Sequence, residues 1–362
     1  MTQPLTPPPP VTGPGAPAAS GGVSGASGAP GAPGTPDAPV TPAASRAPDG
    51  PVAPDAPGTL DTTVAGIELD ADGLTLSGLL ALPRTADPRA VVVALHGGGM
   101  RAGYFHGQAD PATSLLSLAA DCGYAALALD RPGYGRSARE APDGMGLAGQ
   151  AERLRAALAA YGREHPTGAG FFLVGHSLGG KVALATAAGW STDGLPGTDG
   201  LLGADRLLGL DVSGVSDRWA VTPGRLTGTD GRQRHTLHWG PPSLYPPDTF
   251  RLARPLIAPM PPNEAAEAAR WPGTYAELAP SVRVPVRLTF AEHERWWHID
   301  PPTLAAMTAR LGSPLVRTEH LADAGHNISL GLAARSYHLR VLAFLEECLG
   351  RSRRPVPVRG GG

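Results

Sequence analysis

Short, almost wholly apolar runs alternate with longer helix-like segments from about residue 90 onwards, and this alternation constrains the fold more than any other feature. The first four runs are at residues 90–95, 125–129, 171–174 and 207–212. Runs of this kind are typical of strands that are buried on both faces of a sheet. Because helical segments separate them, the pattern predicts parallel β-α-β units in a doubly wound, mostly parallel twisted sheet flanked by helices.

Further elements are predicted on both sides of these runs. Residues 63–69 and 74–82 alternate apolar and polar side chains around a turn at Asp70-Ala71-Asp72-Gly73, which predicts a β-hairpin. Two late strands are expected at 284–290 and 316–321. The predicted helices cover residues 114–121, 147–164, 182–190, 303–311 and 330–349.

The chain divides by composition into five parts. Residues 1–58 are nearly all Pro, Ala, Gly, Ser and Thr without an aromatic residue, which predicts a disordered tail. Residues 59–214 and 281–350 carry the α/β pattern and form the first and last parts of the predicted core. Residues 215–280 interrupt it with Pro, Arg and aromatics between two late strands, which predicts a cap or lid. Residues 351–362 are expected to be a flexible tail.

Charge and cysteine content restrict the class of protein. A net charge of −2 gives no indication of nucleic acid as a partner, and no apolar run is long enough to span a membrane. No secretory signal pattern is present, and Cys122 and Cys348 are each expected to be buried reduced thiols on helices. These features predict a cytoplasmic protein.

The pentapeptide Gly175-His176-Ser177-Leu178-Gly179 follows one of the apolar runs and precedes a helical segment. Strand, sharp turn and helix form the context in which Gly-x-Ser-x-Gly exposes a nucleophilic serine at the edge of a sheet. The two outer glycines are expected because a side chain there would collide with the neighbouring strand and helix. Ser177 is therefore the predicted nucleophile.

Four motifs in this order resemble those of the α/β-hydrolase superfamily over about residues 59–350. They are His96-Gly97-Gly98-Gly99, the turn at residues 130–137, the pentapeptide around Ser177 and Asp323-Ala324-Gly325-His326-Asn327. The resemblance implies an α/β-hydrolase fold with a cap. Residues 96–105 also look like a stretch of hydrolase-like proteins from actinobacterial natural-product pathways.

A serine alcohol needs a general base, and His326 is the predicted one. It follows the last predicted strand on a Gly-containing loop. His176, adjacent to Ser177, is expected to pack or to support the site, because neighbouring residues on a turn point in different directions. His96 is expected to brace its own loop by hydrogen bonds.

The third group should be a carboxylate that orients the imidazole and stabilises its cation. Glu294, after the strand ending at Phe290, stands where the resemblance implies an acid. Asp211 after the preceding strand is the first alternative, followed by Glu292 and Asp300.

The backbone N–H groups of Leu178 and Gly98 are the predicted oxyanion-hole donors, with Gly99 as an alternative to Gly98. Aromatic residues near the predicted site could line a substrate pocket. They are Tyr104, Phe105, Trp296 and Trp297.

No motif calls for a cofactor or metal. His235-x-x-His238 lacks a nearby third ligand, and the glycine run at 97–99 lacks the lysine and serine of a phosphate loop.

The leading hypothesis is a serine hydrolase that cleaves a carboxylic ester or thioester through an acyl-enzyme on Ser177, acting on a small, hydrophobic, ester-like substrate. The first alternative is a non-hydrolytic enzyme of the same fold, catalysing elimination or acyl transfer in natural-product biosynthesis. The second alternative is a non-catalytic binding protein.

Overall fold

An eight-stranded sheet organises the part of the chain that the structure, a computed structural model, describes: residues 63–84, 87–190, 206–226 and 231–352. The predicted N-terminal tail at 1–58 lies outside these residues, as do residues 353–362 of the predicted C-terminal tail. The strands are β1 (Val64–Asp70), β2 (Thr75–Ala81), β3 (Val91–Leu95), β4 (Ala125–Leu129), β5 (Phe171–His176), β6 (Leu207–Ser213), β7 (Val286–Ala291) and β8 (Val316–Leu321).

The order of strands in the sheet is β1-β2-β4-β3-β5-β6-β7-β8. The hairpin β1–β2 is antiparallel, and β2 joins β4 antiparallel, whereas all other neighbours are parallel. Because the chain leaves β3 towards β4 on one side and returns to β5 on the other, a crevice is expected at the carboxyl ends of these strands. The loops that begin at His96, Asp130 and Ser177 all start there.

The central strands are buried on both faces, as their composition predicts. In β3 the side chains of Val91, Val93 and Leu95 belong to the apolar cluster on one face, and Val92 and Ala94 belong to the cluster on the other. Helices therefore cover both sides of the sheet, and the predicted α/β architecture is confirmed.

The helices are α1 (Leu115–Asp121), α2 (Leu147–Glu164), α3 (Leu178–Ala188), α4 (Gly231–Trp239), α5 (Thr249–Leu252), α6 (Pro262–Ala268), α7 (Trp271–Leu278), α8 (Pro301–Thr308) and α9 (Ala334–Ser352). The five predicted helices agree with α1, α2, α3, α8 and α9 within a few residues, whereas α4 to α7 lie in the predicted cap, where no helix was predicted. The helix expected at 182–190 begins four residues earlier, directly after Ser177. The last helix includes Arg351 and Ser352, so the first two residues of the predicted tail are helical.

The segment predicted as a cap, residues 215–280, contains the helices α4 to α7 within its described part. It connects β6 to β7, and we call it the β6–β7 insertion. Several of its side chains are buried against the rest of the chain, among them Leu237, Glu264 and Trp271.

Two expectations about the surface can be compared with the structure. Cys348 is buried and unpaired as predicted, but Cys122 is exposed, because it caps the C-terminal end of α1 and does not face the core. Among the described residues, no helix combines the length and the apolar character needed to cross a membrane.

Candidate active site

Ser177 lies in a strained turn between β5 and α3. Its φ of 52° and ψ of −118° fall outside the regions that residues with a side chain ordinarily adopt. A Cβ at Gly179 would collide with the carbonyl oxygen of Leu95 in β3, and one at Gly175 would lie 2.6 Å from the carbonyl oxygen of Gly179. The outer glycines are therefore required by close approach to a strand and a helix, as predicted.

His326 reaches Ser177 from the far end of the chain. Its Nε2 lies 3.1 Å from Ser177 Oγ, although 149 residues separate the two. On the opposite side of the ring, His326 Nδ1 lies 2.7 Å from Glu294 Oε2. The side chains of His326 and Glu294 are 2% and 0% exposed, so water does not compete for these contacts.

The carboxylate of Glu294 is held by the backbone of the next two residues as well as by His326. Its Oε1 accepts hydrogen bonds from the N–H groups of Arg295 at 3.0 Å and Trp296 at 2.9 Å. With Oε1 fixed in this way, Oε2 is left to accept from His326 Nδ1–H. A proton on Nδ1 leaves the lone pair of Nε2 facing the serine hydroxyl, which is the arrangement that a general base requires.

The three alternative carboxylates are occupied elsewhere. Asp211 pairs with Arg287 at 2.5 Å and accepts from the hydroxyl of Tyr337 at 2.6 Å. Glu292 accepts from the N–H of Asp323, and Asp300 caps the first turn of α8. The structure therefore brings Glu294, and none of the alternatives, to His326.

His176 and His96 have supporting positions, as predicted. His176 is buried, stacks on Tyr104 and lies 3.1 Å from the hydroxyl of Ser213 through Nδ1. His96 Nδ1 lies 2.8 Å from the carbonyl oxygen of Gly97, and its Nε2 accepts from the N–H of Arg131. Burial holds the pKa of both imidazoles well below the ordinary value, which keeps them neutral.

The predicted oxyanion donors lie beside each other. Gly98 and Leu178 both line the pocket that contains Ser177, and a Cβ at Gly98 would collide with Leu178 Cδ1. The alternative donor Gly99 is already engaged, because its N–H donates to the hydroxyl of Tyr134 at 3.0 Å. This difference favours Gly98 over Gly99.

The pocket at Ser177 is narrow, with a cavity volume of about 10 Å³, which is enough for about one water molecule. Its side chains combine polar groups near Ser177 with the apolar Met100, Leu178 and Met260. The sequence reasoning missed His238, Met260 and Asn327, which also line it. His238 and Met260 come from the β6–β7 insertion, and no local pattern indicates that they return to the serine.

None of the four aromatic residues proposed as substrate-lining contributes to this pocket. Tyr104 and Phe105 are fully buried, and Tyr104 stacks beneath His176. Trp296 and Trp297 are 1% and 3% exposed. These large aromatic side chains pack in the interior, where burial of their apolar surface is favourable.

A buried ion pair that sequence reasoning also missed joins the β6–β7 insertion to the core. Arg131 follows β4, Glu264 lies on α6, and their side chains are 1% and 3% exposed. Tyr134 donates its hydroxyl to Glu264 Oε1 at 2.9 Å. The pair contacts the glycine loop at residues 97–99 directly.

Around His235 and His238, as elsewhere in the part of the chain that the structure describes, no three His, Cys, Asp or Glu side chains are grouped so that they could hold a metal ion.

Comparisons with known proteins agree with this architecture. The chain is similar in structure to a thermophilic esterase from Thermogutta terrifontis, with 19% identity and a TM-score of 0.51 over 80% of this chain and 100% of that one. It is also similar to a thermostable carboxyl esterase from Bacillus coagulans, with 16% identity and a TM-score of 0.55 over the same shares of the two chains. No curated protein matched the sequence. At these identities the likeness shows the fold alone.

The sequence pattern of the alpha/beta hydrolase family matches residues 91–338, which is more than half of the chain. The protein therefore belongs to the alpha/beta hydrolase family.

Proposed function

We propose that this protein is a serine hydrolase that cleaves a carboxylic ester or thioester through an acyl-enzyme on Ser177. The observation that carries the proposal is the line of contacts from Glu294 Oε2 to His326 Nδ1, at 2.7 Å, and from His326 Nε2 to Ser177 Oγ, at 3.1 Å. A nucleophile, a base within hydrogen-bond reach and a group that orients the base are what acyl transfer needs.

In the first half of the reaction, Ser177 Oγ attacks the carbonyl carbon of the substrate while its proton passes to His326 Nε2. Glu294 stabilises the resulting imidazolium from the other side of the ring. When the tetrahedral intermediate collapses, His326 returns the proton to the leaving alcohol or thiol, and the acyl group remains on Ser177. Water, deprotonated by the same imidazole, then releases the acid.

The negative charge of each tetrahedral intermediate needs donors that are fixed before the reaction begins. The N–H groups of Leu178, at the start of α3, and Gly98 supply them in this proposal. Leu178 also benefits from the N-terminal end of the α3 dipole, which favours a negative charge. Each donor of this kind typically contributes about 3–4 kcal/mol to transition-state stabilisation.

The pocket favours a small substrate with an apolar acyl group. Met100, Leu178 and Met260 give it apolar walls, and its cavity volume of about 10 Å³ leaves little room for a long acyl chain. We therefore expect p-nitrophenyl esters of short fatty acids to be turned over faster than esters of long ones.

The test is active-site labelling with a fluorophosphonate followed by peptide mapping, alongside hydrolysis of p-nitrophenyl butyrate and its thioester counterpart. We expect labelling at Ser177 and hydrolysis of at least one substrate. Ser177→Ala should abolish both. Ser313→Ala is the matched control, because Ser313 bonds only within its own loop and should leave both unchanged.

Labelling at another serine would overturn the site assignment. Labelling at Ser177 with no turnover of either substrate would favour the non-hydrolytic alternative, in which the same nucleophile serves acyl transfer or elimination. Full activity of Ser177→Ala would remove the mechanism.

A further inference from the structure

The glycine loop that follows β3 cannot fix its own peptide orientations. Gly97, Gly98 and Gly99 have no Cβ, so their backbone can adopt conformations that are closed to other residues, and Gly99 has a φ of +72°. An oxyanion donor must point in one direction before the substrate arrives. The orientation must therefore come from contacts outside the loop.

Arg131 supplies two of these contacts from a buried position. Its Nε donates to the carbonyl oxygen of His96 at 2.8 Å, and its Nη2 donates to the carbonyl oxygen of Gly97 at 3.1 Å. The imidazole of His96 adds a second contact to the Gly97 oxygen at 2.8 Å. Two successive carbonyl groups of the loop are thus held on the Arg131 side.

Because the peptide bond is trans, holding a carbonyl group also fixes the direction of the next N–H group. In such a unit the C=O and N–H bonds point in opposite directions. When the Gly97 carbonyl is held by Arg131 and His96, the N–H of Gly98 must point away from them. Gly98 itself borders Leu178 and lines the pocket at Ser177, so an N–H held in one direction there can serve as an oxyanion donor.

The β6–β7 insertion in turn holds Arg131. Glu264 on α6 accepts from both terminal nitrogens of Arg131, with 3.0 Å between Nη2 and Oε1. The same carboxylate accepts from Tyr134, whose hydroxyl receives the N–H of Gly99. A second residue of the insertion, Ala258, donates its N–H to the carbonyl oxygen of Gly99 at 2.9 Å.

We propose that Arg131 and Glu264 are positioning residues that hold the peptide between Gly97 and Gly98 in the orientation that makes Gly98 an oxyanion donor. Docking of the insertion through Glu264 thereby completes the oxyanion hole. This inference rests on the proposed function, since it assigns the origin of one of its two oxyanion donors.

The test replaces the pair in a way that the fold can tolerate. Removing one partner would leave the other buried and uncompensated, whereas replacing a buried pair by apolar residues is often neutral for stability. The variant is therefore Arg131→Met with Glu264→Met, and kcat and KM are measured with p-nitrophenyl butyrate. We expect kcat to fall by about 10²–10³-fold, the cost of losing one oxyanion donor, while KM changes little.

A second readout separates positioning from general loosening of the structure. A trifluoromethyl ketone that adds to Ser177 forms an oxyanion in the hole, so its affinity should fall in parallel with kcat. The matched control is Arg287→Met with Asp211→Leu, a buried ion pair with side chains 5% and 0% exposed, whose other hydrogen bonds join Glu319 and Tyr337 rather than the glycine loop. We expect this control to change Tm without a comparable fall in kcat.

The outcomes distinguish this inference from the proposed function. A wild-type protein with no turnover and no labelling of Ser177 would contradict the function. An active wild-type protein together with a folded double variant that keeps its kcat and its affinity for the ketone would overturn the inference alone. If the double variant does not fold, Glu264→Gln, which keeps an acceptor for Tyr134, should still lower kcat, and an unchanged kcat would again overturn the inference.

Discussion

Ser177 and Lys181 lie one turn apart at the start of helix α3, and the protein surrounds their side chains in opposite ways. The hydroxyl of Ser177 faces a line of hydrogen-bonding groups that ends in the backbone of the Glu294 loop. The ammonium of Lys181, in a residue 4% exposed, has no hydrogen-bond partner in the described part of the chain. Its Nζ lies instead 4.7, 5.1 and 5.0 Å from the ring centres of Trp219, Trp271 and Trp297.

The comparison shows two ways in which the protein surrounds a buried polar group. Directional hydrogen bonds, with a donor and an acceptor at each step, can move a proton between Ser177 and His326. Aromatic faces attract a positive charge but cannot accept its proton in the same way. Lys181 is the single lysine of the chain, and its surroundings suit a structural contact between α3 and the β6–β7 insertion.

Burial also lowers the pKa of Lys181 to about 7. The negative charges of Glu264 and Glu267 act in the opposite direction, and the positive charge of Arg131 adds to the lowering. The Ser177 hydroxyl thus has hydrogen-bonding partners on one side, whereas the Lys181 ammonium carries its charge at a cost in stability. The two can be separated by mutation.

The largest effect is expected from His326→Ala. It removes the base from the hydrogen-bonded line, and the loss in kcat should be of the order of 10⁶-fold, because the residues of a triad act as a unit. Thermal unfolding should show a folded protein. A variant that loses less than a hundredfold in hydrolysis of p-nitrophenyl butyrate would mean that Ser177 has another base.

Glu294→Gln should lower kcat by about 10⁴-fold, because an amide no longer enforces the tautomer that leaves Nε2 free to accept the serine proton. Glu292→Gln is the matched control in the same loop, where the carboxylate contacts the N–H of Asp323 and not His326. The comparison uses pH–rate profiles of kcat for both variants. Equal losses in the two would contradict the special role of Glu294.

The smallest effect on activity is expected from Lys181→Met, which should raise the stability of the folded protein. The ordinary pKa of lysine is 10.5, so between pH 7 and 10.5 the unfolded chain binds a proton that the folded protein does not. The free energy of unfolding of the wild type should therefore increase as the pH rises through this range. At pH 7 and below, the folded protein bears the full cost of the buried charge.

Methionine fills a similar volume without a charge. We expect Lys181→Met to raise Tm by a few degrees at pH 6, and this difference should shrink towards pH 10. Lys181→Arg keeps a charge and should give no such gain. A Tm difference that does not change with pH would show that Lys181 titrates normally, and a large fall in kcat would join Lys181 to the site at Ser177.

Much of the fold could be predicted because it is encoded locally. Buried parallel strands need uninterrupted apolar residues, so the positions of β3 to β6 follow from short stretches of sequence. The turn at Ser177 needs glycines on both sides, and the pattern of five residues identifies it. The contact between Ser177 and His326 could also be predicted, because the carboxyl ends of parallel strands meet at one edge of the sheet.

The tertiary structure decided what depends on contacts between distant segments. Asp211 lies near the carboxyl end of β6, and Glu292 and Glu294 follow β7 at the same edge of the sheet. Only packing determines that Asp211 is paired with Arg287. The aromatic residues near the motifs are buried and do not line the pocket at Ser177, since sequence proximity does not fix which way a side chain faces.

Sequence alone thus determined the layered α/β architecture, the strained serine and the histidine that approaches it, because strand burial and turn sterics act over a few residues. The partners of Arg131 and Lys181 were decided only by the tertiary structure. Glu264, Trp219 and Trp271 come from the β6–β7 insertion, and nothing in their own neighbourhood along the chain encodes where that insertion packs. The energy of a buried charge depends mainly on its nearest partner, because the dielectric constant of the interior is low. For Arg131 and Lys181 those partners are remote in sequence.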